Sequence, residues 1–144
     1  MDETQYKAYR PHLPIPDGET EPYWEGARQE RLRLKRCRPC DRTFFYPRSH
    51  CPRCWSTDTD WIEASGRGTI YSYTVIAHSD VAPFKDWIPY VVALVDLDEG
   101  PRMVTNVVGA APEDLSVGRR VEVVFDRIDD RITLPRFRLI RESR

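Results

Sequence analysis

All four cysteines of the chain fall in one stretch, as Cys37-Arg38-Pro39-Cys40 and Cys51-Pro52-Arg53-Cys54, with ten residues between the inner members. Each Cys-x-x-Cys pair places two thiolates on one side of a tight turn. Two such turns brought together supply the four sulfurs that a tetrahedral Zn²⁺ takes at about 2.3 Å. Two disulfides or four free thiols are the competing arrangements, and iron in the same S₄ cage stays open on ligand type alone. Between the pairs, Thr43-Phe44-Phe45-Tyr46 reads as a short aromatic strand that carries one knuckle back toward the other. Arg31-Leu32-Arg33-Leu34-Lys35-Arg36 alternates charge with leucine and runs straight into Cys37, so it forms the first arm of the same hairpin. A module this small buries too little apolar surface to fold alone, which makes the metal its source of folding energy.

The flanks set the rest of the architecture. A chain of 144 residues fits one ordinary domain or two very small ones. Residues 1–18 carry Pro11, Pro14, Pro16 and Gly18 with little periodicity and read as an extended arm. The segment from Glu19 to Glu30 reads as a short helix, with Asp17 or Thr20 as its cap, Pro22 in its first turn and Tyr23, Trp24 and Ala27 as its apolar face. From Gly66 onward the pattern changes to β-strands separated by turn signals. Residues 68–78, 89–97, 102–108, 120–125 and 132–140 give five antiparallel strands, with a helical turn at Pro112–Leu115 between the third and fourth. That order is the pattern of an OB-type barrel. The predicted fold is therefore mainly β. An N-terminal arm and short helix (1–31) precede a rubredoxin-like zinc ribbon (32–63) and a C-terminal five-stranded OB-fold barrel (64–144).

This whole order resembles the DUF35 family, in which a rubredoxin-like zinc ribbon is joined to an OB-fold. The resemblance is carried by Pro22-Tyr23-Trp24, the two cysteine pairs and Pro47-Arg48 ahead of the second pair. In the barrel it is carried by the stretch from Gly66 to Val75, by Gly118 to Phe125, and by Leu134-Pro135-Arg136-Phe137. It covers residues 20–141, nearly the whole chain. The resemblance implies a subunit that binds a thiolase-superfamily enzyme acting on acyl-CoA, such as a CoA thiolase or an aldolase. Acyl-CoA binding is the role it implies for the chain itself. Because such partner enzymes are commonly dimeric, the implied assembly is a heterotetramer with two copies of each chain.

The candidate residues follow from these elements. Cys37, Cys40, Cys51 and Cys54 are the metal ligands, and a closed Cys₄ site leaves no open position for water or substrate, so the zinc is structural. With every cysteine committed, and with His12, His50 and His78 lacking spaced partners, no catalytic residue is assigned and activity in isolation is not expected. The loop from Ser79 to Pro89 places Phe84, Trp87 and Ile88 at the surface. There they either cap the barrel mouth or contact a pantetheine, an acyl chain or the partner. Lys85, Arg102, Arg119 and Arg120 are the candidate contacts to CoA phosphates.

The alternative is a single-stranded nucleic-acid module. Tyr71, Tyr73 and Phe125 would stack bases, beside a ribbon made basic by Arg33, Lys35, Arg36, Arg38, Arg42, Arg48 and Arg53. A net charge of −1, from 22 basic and 23 acidic residues, argues against it. No apolar run approaches the roughly 20 residues of a membrane span, and the N-terminus lacks a signal-peptide pattern. Cysteines kept for metal point to a reducing cytoplasm.

Overall fold

The computed structural model describes residues 2–141; Met1 of the expected arm and residues 142–144 of the expected barrel segment lie outside the described residues. Two sheets make up the fold, and one hydrophobic core joins them. The first sheet has the order β2-β1-β3, from β1 (Arg33–Cys37), β2 (Arg42–Phe44) and β3 (Thr59–Glu63). The second is a closed barrel, β4-β5-β6-β8-β7, built from β4 (Arg67–Ile76), β5 (Tyr90–Leu97), β6 (Arg102–Val107), β7 (Arg120–Arg127) and β8 (Thr133–Leu139). The five strands expected from the sequence are all present. Their pairing is antiparallel except where β6 meets β8 in parallel at Val107 and Phe137, which closes the barrel and removes its open edges.

Three differences from the sequence reading stand out. The segment after Cys54 does not simply leave the ribbon: Thr59–Glu63 pairs along the whole of β1, so Lys35 faces Trp61 and Cys37 faces Thr59. The second difference is the proline-rich arm, which is not extended throughout. Helix α1 (Glu3–Tyr9) forms because Asp2 caps it, accepting from the Gln5 N–H at 2.8 Å while the Gln5 side chain accepts from the Asp2 N–H at 3.1 Å. This reciprocal cap satisfies two helix-end donors and fixes where the helix starts. Third, Thr20 precedes helix α2 (Glu21–Arg28) without a side-chain cap; its hydroxyl donates instead to Asp17 at 2.8 Å.

Helix α2 buries Tyr23, Trp24, Gly26 and Ala27. Tyr23 packs edge-on to Trp24 at 4.8 Å and against Phe45 at 5.7 Å, locking the helix to the ribbon. These residues, with Leu32 and Leu34 of the ribbon side, share one core with Ile70, Val95, Val121 and Phe137 of the barrel. The metal end of the ribbon is different. Its buried cluster is only Cys37, Phe44 and Cys51, with Cys40 against it.

Glycine is required where β4 enters the barrel. A Cβ on Gly68 would meet the Asp96 carbonyl oxygen and Val95 Cγ1, each at 2.6 Å, and Gly66 has φ of +73° with Val123 Cγ1 at 2.5 Å from the added atom. Neither neighbour at Gly68 is a flexible end, so the strands must part. Gly68→Ala is expected to destabilise the chain by about 2–3 kcal/mol, as overpacking does. Thermal unfolding followed by circular dichroism should show a clear fall in melting temperature.

Candidate metal centre and ligand cavity

The hairpin between β1 and β2 carries Cys37 and Cys40, and the turn before β3 carries Cys51 and Cys54. The Cys51 N–H donates to the Ser56 carbonyl at 2.9 Å and the Trp55 N–H to the Cys51 carbonyl at 2.9 Å, closing the second knuckle. All four Sγ atoms lie within 4.8 Å of one another. Cys37 is 3.5 Å from Cys54 and Cys40 is 3.7 Å from Cys51. A tetrahedron with metal–sulfur bonds of about 2.3 Å has edges of about 3.8 Å, whereas a disulfide brings sulfurs to about 2.05 Å. The thiols are unpaired and their spacing fits one shared ion.

The electrostatics of the cluster have the same sense. The Cys54 N–H, and then the Arg53 N–H at 3.5 Å from Cys51 Sγ, hold the Cys51 thiol down to about 6 against burial. At Cys37 the Cys40 N–H also favours the thiolate, but burial and hydrogen bonds with the other three thiols outweigh it and push Cys37 up to about 12. One thiolate is welcome here; several need a cation among them. A bound Zn²⁺ would make all four thiolates its ligands and supply a cross-link with no open coordination position.

The 79–89 loop does not stand free. It contains a 3₁₀ turn, Phe84–Asp86, and its rings fold onto the N-terminal helix. Tyr9 lies edge-on to Trp87 at 4.9 Å and to Phe84 at 6.2 Å, and His12 meets Phe84 at 5.1 Å. Beneath these rings is a cavity of about 300 Å³ whose lining includes Tyr9, Phe84, Trp87, Tyr90, Asn106 and Arg136. Asn106 donates to the Val91 carbonyl at 3.0 Å. Arg136 lies 3.3 Å from Asp126 and donates to the Tyr9 hydroxyl at 3.5 Å. Burial pushes the Tyr9 hydroxyl above its ordinary pKa, so it stays protonated at neutral pH. At about 300 Å³ the space is at the low end for ligand sites; it suits one apolar arm rather than a whole nucleotide.

A second, open cleft of about 830 Å³ adjoins it across Val108, Gly109 and Ala110, which line both. Arg119, Arg138 and Arg141 line this cleft with Glu122, Val124 and Leu139.

The structure separates the candidate contacts proposed from sequence. Phe84 and Trp87 line the cavity, and Arg119 lines the adjoining cleft. Lys85 is exposed on the 3₁₀ turn. Arg102 and Arg120 are already engaged: Arg102 holds both oxygens of Asp96 at 2.7 and 3.1 Å, and Arg120 holds both of Asp98 at 2.7 Å. Both carboxyls are held below their usual range by these guanidinium hydrogen bonds. Sequence reasoning missed Tyr9, Asn106 and Arg136. The Asp2…Gln5 cap with Tyr6 and Tyr9 one turn apart was the available signal for the first.

The base-stacking surface is also occupied. Tyr71 lies under Arg102, whose guanidinium carbon is 3.3 Å from the ring centre, and the Tyr73 hydroxyl donates to the Leu115 carbonyl at 3.1 Å. Phe125 is half-buried against the core. Part of the ribbon's charge is neutralised within the chain, by Arg36 with Asp41 and Arg38 with Asp58 and Asp60. No helix among the described residues is long and apolar enough to cross a membrane.

Comparison with known proteins gives this architecture its class. Residues 24–60 match the family model described as the ChsH2 rubredoxin-like zinc ribbon domain, and residues 61–126 match the ChsH2 C-terminal OB-fold domain. The protein is a zinc-ribbon and OB-fold chain. It belongs to the DUF35 family: a DUF35 domain-containing scaffold protein of Methanocaldococcus jannaschii is 38% identical over 66% of this chain and 67% of its own length.

A Thermomonospora curvata protein named "Probable enoyl-CoA hydratase alpha subunit" is 42% identical over 94% of this chain, which spans only 42% of that relative's length. Benzoylsuccinyl-CoA thiolase subunit BbsA of Thauera aromatica is 27% identical over 69% of this chain and 66% of its own. Among solved structures, a chain of the Ltp2-ChsH2(DUF35) aldolase superposes with a TM-score of 0.78 at 41% identity, covering 88% of this chain and 98% of that one.

Two outcomes test the site. Cys51→Ser should lose bound metal, read by elemental analysis, and loosen the ribbon, read as lost near-ultraviolet dichroism from its aromatic residues. The Asp98–Arg120 pair has a pH signature as well. Its carboxyl pKa is depressed on folding, so its contribution is fully present above the ordinary carboxylate value and fades as pH falls below it. The melting-temperature gap between wild type and Asp98→Asn should therefore shrink from about pH 6 to about pH 3.

Proposed function

We propose that the chain is a non-catalytic accessory subunit of a thiolase-superfamily enzyme, a CoA thiolase or an aldolase, which it helps to assemble and to bind acyl-CoA. The observation that carries this reading is the near-complete match to a DUF35 chain of an aldolase, at 41% identity over 98% of that chain. The thiolase subunit and scaffold proteins among its relatives support it. The four cysteines take a structural zinc, which leaves the ribbon rigid but chemically inert.

The cavity under Phe84 and Trp87 receives the apolar arm of the thioester. The adjoining cleft, with Arg119, receives its anionic end. Lys85 stands at the rim, while Arg102 and Arg120 keep their carboxylates and shape the barrel surface instead. What the subunit adds is a water-poor, preorganised substrate channel at the partner's active-site mouth, rather than an acid, base or nucleophile. Two copies of each chain form the assembly, in a reducing cytoplasm.

Co-expression with a thiolase-superfamily protein from the same genome, followed by size-exclusion chromatography with light scattering, tests the reading. The expected result is co-elution at the mass of two copies of each chain. Separate elution of the two proteins would overturn it.

A further inference from the structure

The side chain of Trp55 is used by neither the core nor the metal cluster, although its N–H closes the second knuckle. Its side chain is 76% exposed, and no ring pair among the described residues includes it. Its backbone is costly as well. Trp55 has φ of 63°, and Asp41, in the same place after the first knuckle, has φ of 51°. At each site the residue after the second cysteine turns left-handed so that the chain can leave the metal end. Glycine suits that conformation and aspartate tolerates it, whereas a bulky aromatic residue there is an outlier. A large apolar ring kept at a strained, solvent-facing position is a reason to look outward for its partner.

The charge around it points the same way. No carboxylate of the described residues lies within 4.0 Å of Arg42, Arg48 or Arg53, whereas Arg36 and Arg38 are both paired. Arg42 and Arg53 line one cleft beside the second knuckle. Arg48, Arg53 and Trp55, exposed on either side of the buried Cys51, therefore form a ridge that joins an unpartnered tryptophan to uncompensated guanidiniums, the two residue types most enriched among interface hot spots.

We infer that this ridge is the docking surface for the partner enzyme subunit, with Trp55 anchoring in an apolar pocket on that protein and the arginines meeting carboxylates on its rim. The inference rests on the subunit reading above and adds which face of the chain makes the contact. A rigid metal knuckle suits this role, because the anchor pays little ordering entropy on binding.

The test is Trp55→Gly in the co-expressed pair, with Arg53→Glu as a second variant and Val117→Ser, at an exposed barrel position, as control. Glycine relieves the left-handed strain, so Trp55→Gly should keep its metal and melt no lower than a few degrees below wild type. It should nevertheless weaken the complex by at least about 30-fold in Kd, the hot-spot range. Arg53→Glu should slow association and flatten its salt dependence, and Val117→Ser should change nothing.

Wild-type affinity in a folded, metal-loaded Trp55→Gly would overturn the assignment. So would a variant that binds the partner normally but loses binding to a single-stranded oligonucleotide held by the wild type. If the wild-type chain itself forms no complex, the subunit reading falls and the docking surface falls with it.

Discussion

The structure depends on keeping four sulfurs within 4.8 Å of one another at the end of a three-stranded sheet. Little else is available to hold that end. Its separate buried cluster contains one aromatic side chain, Phe44, and the cysteines themselves. Thiolates at such spacing repel unless a cation lies among them, so the knuckles and the metal are one folding unit. The opposite end of the ribbon needs no such device. There Leu32, Leu34, Tyr23 and Trp24 continue directly into the barrel core.

Beyond the metal, the chain places its chemistry at surfaces rather than at a reaction centre. The barrel surface carries two-oxygen ion pairs, Arg102 with Asp96 and Arg120 with Asp98, whose charges cancel and which are exposed enough to add little stability. What stays open is apolar or uncompensated: the cavity under Tyr9, Phe84 and Trp87, the adjoining cleft with Arg119, and the knuckle ridge with Trp55. A closed metal site beside receptive surfaces is the physical profile of a subunit that shapes another protein's site.

How much of this was legible in the sequence differs by element. The cysteine spacing fixed the knuckles because a tetrahedral ion admits few arrangements of two turns. The barrel strands were legible because β-branched runs such as Tyr90–Leu97 alternate buried and half-buried residues along their length. Strand β3 was not, since Thr59-Asp60-Trp61-Ile62-Glu63 has no clean alternation and owes its conformation to pairing with β1. Nor was the cover over the cavity. The prolines at 11, 14 and 16 suggested an extended arm, and the contact of Tyr9 with Trp87 spans 78 positions, which no local pattern encodes. The engagement of Arg102 and Arg120 was hidden for a related reason: an arginine's availability depends on the carboxylate that reaches it in the fold, as Asp96 across the strand does for Arg102.

Native mass spectrometry of the chain co-purified with the proposed thiolase-type partner is the most direct test of the account. The prediction is a single assembly containing both proteins, with one zinc for each copy of this chain. An assembly that forms without metal, or a metal-loaded chain that never carries the partner, would contradict it.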